Sequence, residues 1–314
     1  MIQKAGLKNG SIIGLRPGTG QECCSSMIQR RHNYLLDSIL LVLLAGFFIW
    51  ILYRLKLGLG YTWNWKVIPQ FFLSIHEGRL QLNVLTLGFL TTIRLSLWVV
   101  LFSVFIGTLA GILGSGKSVL FRLLVRVYVE FTRNTPPLVL IFIFYFFIGS
   151  QLMQVMGVED WVRYSPPWVK DVIKILFSTP ARLPEFLSAV LTLSLYEGAY
   201  ITEIVRGGLL SIPKGQFEAS YALGLSKTDT YVFVVLPQVF KNILPSLTSQ
   251  AISVIKDSSI VSIISIQELT FQGMELMAST YLIFEMWITI TALYFILTFT
   301  LSHLAGRLEK RLIR

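Results

Sequence analysis

The chain has 314 residues, 54% of them hydrophobic and 14% charged, with a mean hydropathy of +0.67. A soluble domain carries about 25% charged residues, so this composition excludes a water-dissolved globular protein and makes the lipid bilayer the solvent. The formal net charge of +10 is not a nucleic-acid signal, because inner loops of membrane proteins are themselves rich in Lys and Arg.

Residues 1–33 are mostly polar and dotted with glycine, which predicts a cytoplasmic tail. Its charged stretch is too long before the apolar run for a signal peptide. Cys23 and Cys24 are adjacent and fit neither a metal spacing nor a disulfide framework; acylation near a span is the alternative. Residues 34–83 add a first span, Leu35 to Tyr53, and an outer segment. Tyr61, Trp63 and Trp65 are of the type that favours a membrane–water boundary, so an amphipathic stretch along the outer surface is expected there.

From about Leu85 the chain re-enters the membrane. Leu95 to Leu113 is uncharged and long enough to cross. After a short loop at Ser115–Lys117, Val119 to Thr132 reads as a helix with Arg122 and Arg126 on one side. Asn134-Thr135-Pro136-Pro137 breaks it, and Pro137 to Met156 is the third span. Residues 157–183, with Pro166, Pro167 and Pro180, read as an outer loop. Pro184 to Leu210, Ile243 to Gln267 and Tyr281 to Leu304 are the remaining spans, with 268–280 outside. The chain therefore divides into a transmembrane domain over 84–305 and a basic tail over 306–314. Of the 27 Lys and Arg, 17 fall on the inner segments of this scheme and eight on the outer ones. That bias predicts about six transmembrane helices with both termini in the cytoplasm.

Between the fourth and fifth spans lies a polar stretch, Gln216 to Gln238. Phe217 to Leu223 holds helix formers, and Gly224 permits a backbone turn closed to other residues. Ser226-Lys227-Thr228-Asp229 has the capping-box pattern that starts a second helix, and Pro237 marks its bend or end. The expected shape is two short helices meeting at a glycine. The spacing Glu218-Ala219-Ser220, three residues, Gly224, nine residues, Val234, one residue, Leu236-Pro237 resembles the E-A-A loop of bacterial ABC importer permeases. Ser220 stands for the second alanine and Val234 for an isoleucine.

The resemblance extends further. Gly198-Ala199-Tyr200, Glu203, Arg206-Gly207-Gly208, Ile212-Pro213 and Gly215-Gln216 run in the order seen in permeases for histidine, glutamine and arginine. Arg133-Asn134-Thr135-Pro136 and Lys256-Asp257-Ser258-Ser259 do the same. It covers roughly residues 84–305 and implies an all-α membrane protein with the type I importer permease fold. It also implies that Gln216, Glu218, Ala219, Ser220, Gly224, Leu236 and Pro237 form the knob gripped by separate ABC ATPase subunits. The ATP and magnesium would sit in those subunits, with no cofactor, metal or catalytic centre in this chain. A second permease chain, identical or paralogous, would complete the path, and an extracytoplasmic amino-acid-binding protein would deliver the substrate.

Several residues stand out against the apolar background. Gly111 to Ser118 fits the phosphate-loop pattern, but such a loop must join a strand to a helix in a parallel sheet. Here it follows an apolar span, so Gly114 and Gly116 are expected to make a tight turn, with Lys117 at the headgroups. Arg133, Asn134 and Thr135 interrupt a helix, and the N–H groups of the next half could hold a carboxylate; a packing kink is the other reading. Lys256 and Asp257 sit within a span, where a charge costs about 2.5–3.5 kcal/mol on insertion scales, next to the hydroxyls of Ser258 and Ser259. Lys256 is the candidate carboxylate anchor, and Asp257 either neutralises it or holds a neighbouring helix. Glu197 and Glu203 could each receive an ammonium group, and Glu203 could instead pair with Arg206. His32, His76 and His303 are scattered and make no metal site.

The function expected on these grounds is inward translocation of polar amino acids by the permease subunit of an ATP-driven importer. The alternatives are an ion-gradient-driven carrier or channel, which needs no helical knob, and a phosphate-loop enzyme, which needs nucleotide at Lys117.

Overall fold

The computed structural model describes residues 36–51, 53–54, 61–76 and 79–312. The tail expected over residues 1–33, including Cys23, Cys24 and His32, lies outside them. The chain forms two compact units, Met1–Thr62 and Trp63–Arg314. In the first, helix α1 (Leu36–Ile51) exposes its apolar side chains all round, as a lipid-facing span does.

The second unit opens with a 3-10 helix over Trp65–Phe71 and an antiparallel hairpin, β1 (Leu73–His76) with β2 (Arg79–Leu82), in which Leu73 pairs with Leu82. The expected amphipathic stretch is thus a short turn of helix, burying Ile68 and Phe71, followed by strands in an otherwise helical protein. Helix α2 (Val84–Ser115) follows. It starts well before the uncharged run at Leu95, because Asn83 caps it by accepting from the Val84 N–H at 2.8 Å. Thr91, Thr92 and Arg94 lower its hydropathy without breaking a helix.

Helices α3 (Val119–Asn134) and α4 (Pro137–Val155) join at the Thr135-Pro136 break. The segment expected to be an outer loop folds into helices α5 (Val158–Tyr164) and α6 (Pro167–Leu176). Its prolines start helices rather than prevent them, since Pro167 stands in the first turn, where no backbone N–H is needed. Helix α7 (Leu183–Leu210) is the axis of the bundle, and most of its middle is buried.

Beside α7, α2 runs in the same direction, and glycine sets the distance between them. A Cβ added at Gly107 would stand 2.6 Å from Ile201 Cβ, and one at Gly111 2.8 Å from Val205 Cβ. Without a hydrophobic force between helices in lipid, such close approach of backbones is what holds them. Gly114 takes part in the same way, within 2.9 Å of Val125 Cγ1. The expected glycine turn is therefore corrected: Gly111 to Ser115 is regular helix, and Gly116 alone caps it, with an extended backbone at φ −71°, ψ 175°.

After the polar helix α8 (Lys214–Ala222), helix α9 runs unbroken over Lys227–Ile264. The second helix of the polar stretch is thus not a separate short one but the start of the fifth span. Pro237 bends rather than ends it: a wide π turn over Thr230–Val235 precedes the proline, which lacks an N–H and would press on the carbonyl four residues back. A 3-10 segment, Ser258–Ile264, closes α9, and Ser265 stops it at φ 63°. Residues 268–280, assigned outside the membrane, hold helix α10 (Leu269–Thr280), capped by the Glu268 side chain. Helix α11 (Ile283–Leu312) ends the described chain. The main apolar core joins α2, α4, α7 and α9 through Leu95, Ile141, Leu193 and Val254.

Candidate coupling turn and polar interior

The turn between α8 and α9 is built locally. Gly224 adopts φ +79°, the left-handed region open to glycine. The Leu225 N–H then reaches back to the Ser220 carbonyl at 3.1 Å and closes α8. The Ser226 hydroxyl accepts from the Asp229 N–H at 3.2 Å and starts α9. Phe217 meets Tyr231 edge-on, 5.8 Å between ring centres, and Gln238 donates to the Gln216 side chain at 3.3 Å. Ser220 is buried and donates to the Gln216 carbonyl at 2.7 Å, so the hydroxyl that replaces the family's alanine leaves no unsatisfied group. Glu218, Ala219, Tyr221, Leu223, Leu236 and Pro237 are exposed. Leu223 exposes 82% of its surface at the tip, an apolar knob left open by the described residues.

Within the bundle, the polar candidates fall into separate groups. Glu197 of α7 is fully buried and accepts from the Gln250 amide of α9 at 2.6 Å. Among the described residues, the buried hydroxyls of Ser96, Thr192 and Ser194 have no hydrogen-bond partner. The Asp257 carboxyl faces Glu197 across the α7–α9 contact. Glu203 pairs with Arg206, at 3.0 and 2.6 Å on its two oxygens, the pairing weighed above. The Arg133 guanidinium lies over the Tyr200 ring, 5.5 Å from its centre. Asn134 ends α3, and the Thr135 hydroxyl donates to the Phe131 carbonyl at 2.7 Å. Ser258 is buried and donates to the Ile255 carbonyl at 2.7 Å.

Lys256 and Asp257 are neighbours in sequence but not in surroundings. Lys256 is exposed and lines a groove with Ser259, Thr270, Thr291 and Tyr294, between α9 and α11. Glu268 was not a candidate from the sequence, yet it is fully buried and ties three elements together. Its carboxylate accepts from Tyr294 at 2.7 Å, from Thr92 at 3.3 Å, and from the N–H groups of Thr270 and Phe271 at 2.9 and 2.8 Å. Its one sequence signal is its place just before a helix start, where a carboxylate suits the free N–H groups. Glu285 likewise accepts from the Asn64 N–H at 2.7 Å.

A long central helix, a break before α4 and a capped turn between α8 and α9 are the features on which the comparisons bear. The family of binding-protein-dependent transport system inner membrane components matches residues 103–314. The chain belongs to this family. The glutamine transport system permease GlnP of Escherichia coli K12 is 42% identical over 151 residues, 46% of this chain and 69% of that protein. A putative glutamine permease of Rickettsia bellii is 32% identical over 226 residues, covering 72% and 91%. Among solved structures, an amino acid ABC transporter crystallised with histidines matches at 30% identity and a TM-score of 0.58, over 73% of this chain and 94% of that one. The MetNI methionine ABC transporter, at 19% identity and a TM-score of 0.54 over 74% and 97%, shares the fold. This member of the family is a multi-pass, all-α permease subunit of an ABC importer with the type I fold, which favours that reading over an ion-gradient carrier.

Proposed function

We propose that this chain is the path-forming subunit of an importer for polar amino acids, glutamine first among them, with both termini in the cytoplasm. ATP, with its magnesium, is bound and hydrolysed by separate ATPase subunits that grip Gln216, Glu218, Ala219, Ser220, Gly224, Leu236 and Pro237. A second permease chain, identical or paralogous, completes the path, and an extracytoplasmic binding protein supplies the substrate. The observation that carries the reading is the exposed apolar tip at Leu223, held by the left-handed Gly224 and continuous through α9 with the membrane interior. A push on the tip reaches the level of Lys256 and Asp257 along one helix, through the π turn and past Pro245.

In the interior, the two carboxyls of Glu197 and Asp257, in contact with each other, suit an ammonium group, the one cation every α-amino acid carries. Arg133, Asn134, Thr135, Glu203, Lys256 and Ser258 remain substrate-path residues of this proposal. The test is uptake into membrane vesicles of labelled amino acids, with and without binding protein and ATP, together with co-purification of an ATPase. ATP-dependent uptake with glutamine among the best substrates is expected; uptake driven by an ion gradient without ATP would overturn the proposal.

A further inference from the structure

A cavity of about 840 Å³ lies where α7 begins, at the end of the bundle opposite the turn between α8 and α9. Arg94 of α2, Asp171 and Lys174 of α6, and Arg182 and Glu185 at the start of α7 line it. None of the five makes an ion pair or a side-chain hydrogen bond among the described residues, and the Glu185 charge acts on Tyr145 of the same wall. Three bases and two acids thus share one space with their bonding groups unspent.

The helices that carry Arg94 and Lys174 are pinned together beside this space. The Trp98 indole N–H donates to the Leu176 carbonyl at 3.0 Å, and its ring stacks on Phe177 with centres 4.8 Å apart. Trp98 is one turn along from Arg94, and Leu176 is two residues along from Lys174, so the two cations stand at one level. That level is the membrane boundary, because Arg94 is the last charge before the uncharged run Leu95 to Leu113.

Below Arg94, on the same face of α2, come Trp98, Leu101, Phe105 and Leu109. Leu101, Phe105 and Leu109 are each more than half exposed. From Trp98 to Leu109 the helix rises about 16 Å, close to half of the ~30 Å hydrocarbon core. An apolar stripe needs no special lipid to cover it. The unspent charges at its top are what select one lipid among others.

We propose that this cavity binds the headgroup of a phosphatidylethanolamine from the leaflet opposite the turn between α8 and α9, with an acyl chain along the stripe. Arg94, Lys174 and Arg182 take the phosphate, whose oxygens accept charge-assisted hydrogen bonds. Asp171 and Glu185 take the primary ammonium, which has three N–H donors. Phosphatidylglycerol would leave both carboxylates unmatched, and phosphatidylcholine offers them no N–H.

The test uses the permease assembled with its ATPase in nanodiscs of equal parts phosphatidylethanolamine, phosphatidylglycerol and phosphatidylcholine. The complex is moved into mild detergent and its retained lipids are counted by native mass spectrometry. Phosphatidylethanolamine should be retained about tenfold or more above its share, the weight of a charge-assisted hydrogen bond. Arg94→Gln with Lys174→Gln should abolish the enrichment, and Lys117→Ala, at the other end of α2, should leave it intact. Asp171→Asn with Glu185→Gln should turn the preference to phosphatidylglycerol, a switch that damage to the fold would not produce. No enrichment in the wild type, or enrichment unmoved by both double variants, overturns the proposal. A free amino acid carries an anion and an ammonium too, so the transfer is repeated with excess L-glutamine. Displacement of the lipid by glutamine would make the cavity an amino-acid site and overturns the lipid assignment. A photoreactive residue at position 101 should capture lipid, and capture of α1 or of a second permease chain instead also overturns it.

Discussion

Gly107 shows how little room a membrane helix pair leaves. Any side chain there meets Ile201 Cβ at 2.6 Å and the Gly198 carbonyl oxygen at 2.9 Å. Neither can step aside, since both belong to the buried middle of α7. Gly107→Ala should therefore cost about 1–3 kcal/mol, the usual penalty of overpacking. The measurement is the unfolding temperature of the purified protein in detergent, and adding Ile201→Ala should recover much of the loss. An unchanged melting temperature in the single variant would contradict the close packing. Lys117 gives the opposite expectation. The phosphate-loop pattern around it is the end of α2, with Gly111 against Val205 and Gly114 against Val125. Backbone N–H groups in a regular helix are already bonded four residues back and cannot cradle phosphate. Lys117→Ala should leave uptake and ATP hydrolysis by the assembled transporter within about twofold of wild type, and an inactive variant that assembles normally would revive a nucleotide-binding reading.

At the scale of elements, the turn between α8 and α9 is the clearest case of local chemistry setting a shape. Gly224→Asp places a side chain at φ +79°, where non-glycine residues cost roughly 1–2 kcal/mol, and it adds a charge beside the exposed Leu223. Glu218→Lys reverses the charge of the same surface without touching the backbone. Both variants should insert normally and lose ATPase co-purification by about tenfold, a drop that corresponds to ~1.4 kcal/mol; normal uptake by both would remove the assignment. This turn was legible in the sequence because everything that shapes it, from Ser220 to Asp229, lies within one short stretch. The start of α2 was legible too, as the re-entry near Leu85, although Arg94 and two threonines keep hydropathy alone from showing one continuous helix. Helix α6 was hidden by prolines that in fact stand at its start, and α5 and α10 are too short to register as spans. The interior sites were legible as single residues but not as groups. Glu197 and Gln250 are 53 positions apart, and Glu268 gathers partners from α2 and α11. No spacing rule on one element could bring those together.

For the molecule as a whole, α9 is the member that links the projecting turn to the polar interior, and it carries two charges on different faces. Asp257 looks toward α7 and Glu197, whereas Lys256 looks toward α11 and the hydroxyls of Thr270, Thr291 and Tyr294. A charge within a span is costly unless it faces a polar cavity or a partner. No Lys256–Asp257 ion pair within 4 Å is present among the described residues, although the Lys256 charge still acts on Asp257 from further away. Two mechanisms then part ways. If Lys256 anchors a carboxylate that all accepted amino acids carry, Lys256→Met should lower uptake of each of them by a similar factor, about tenfold or more for a charge-assisted bond of 1.5–3 kcal/mol. Removing Asp257 as well, in Lys256→Met with Asp257→Leu, should not restore it, because the lost cation served the substrate and not the acid. If instead Lys256 exists to balance Asp257, the single variant leaves a buried charge unpaired and the double variant should recover. Glu197→Gln, which keeps the shape and removes the acid facing Asp257, should change the ranking of substrates rather than lower all alike if it reads a side chain. Initial uptake rates for a panel of amino acids, at equal membrane abundance of each variant, decide the matter: no recovery in the double variant would show that the cation serves the substrate, and recovery would show that α9 carries a balanced pair.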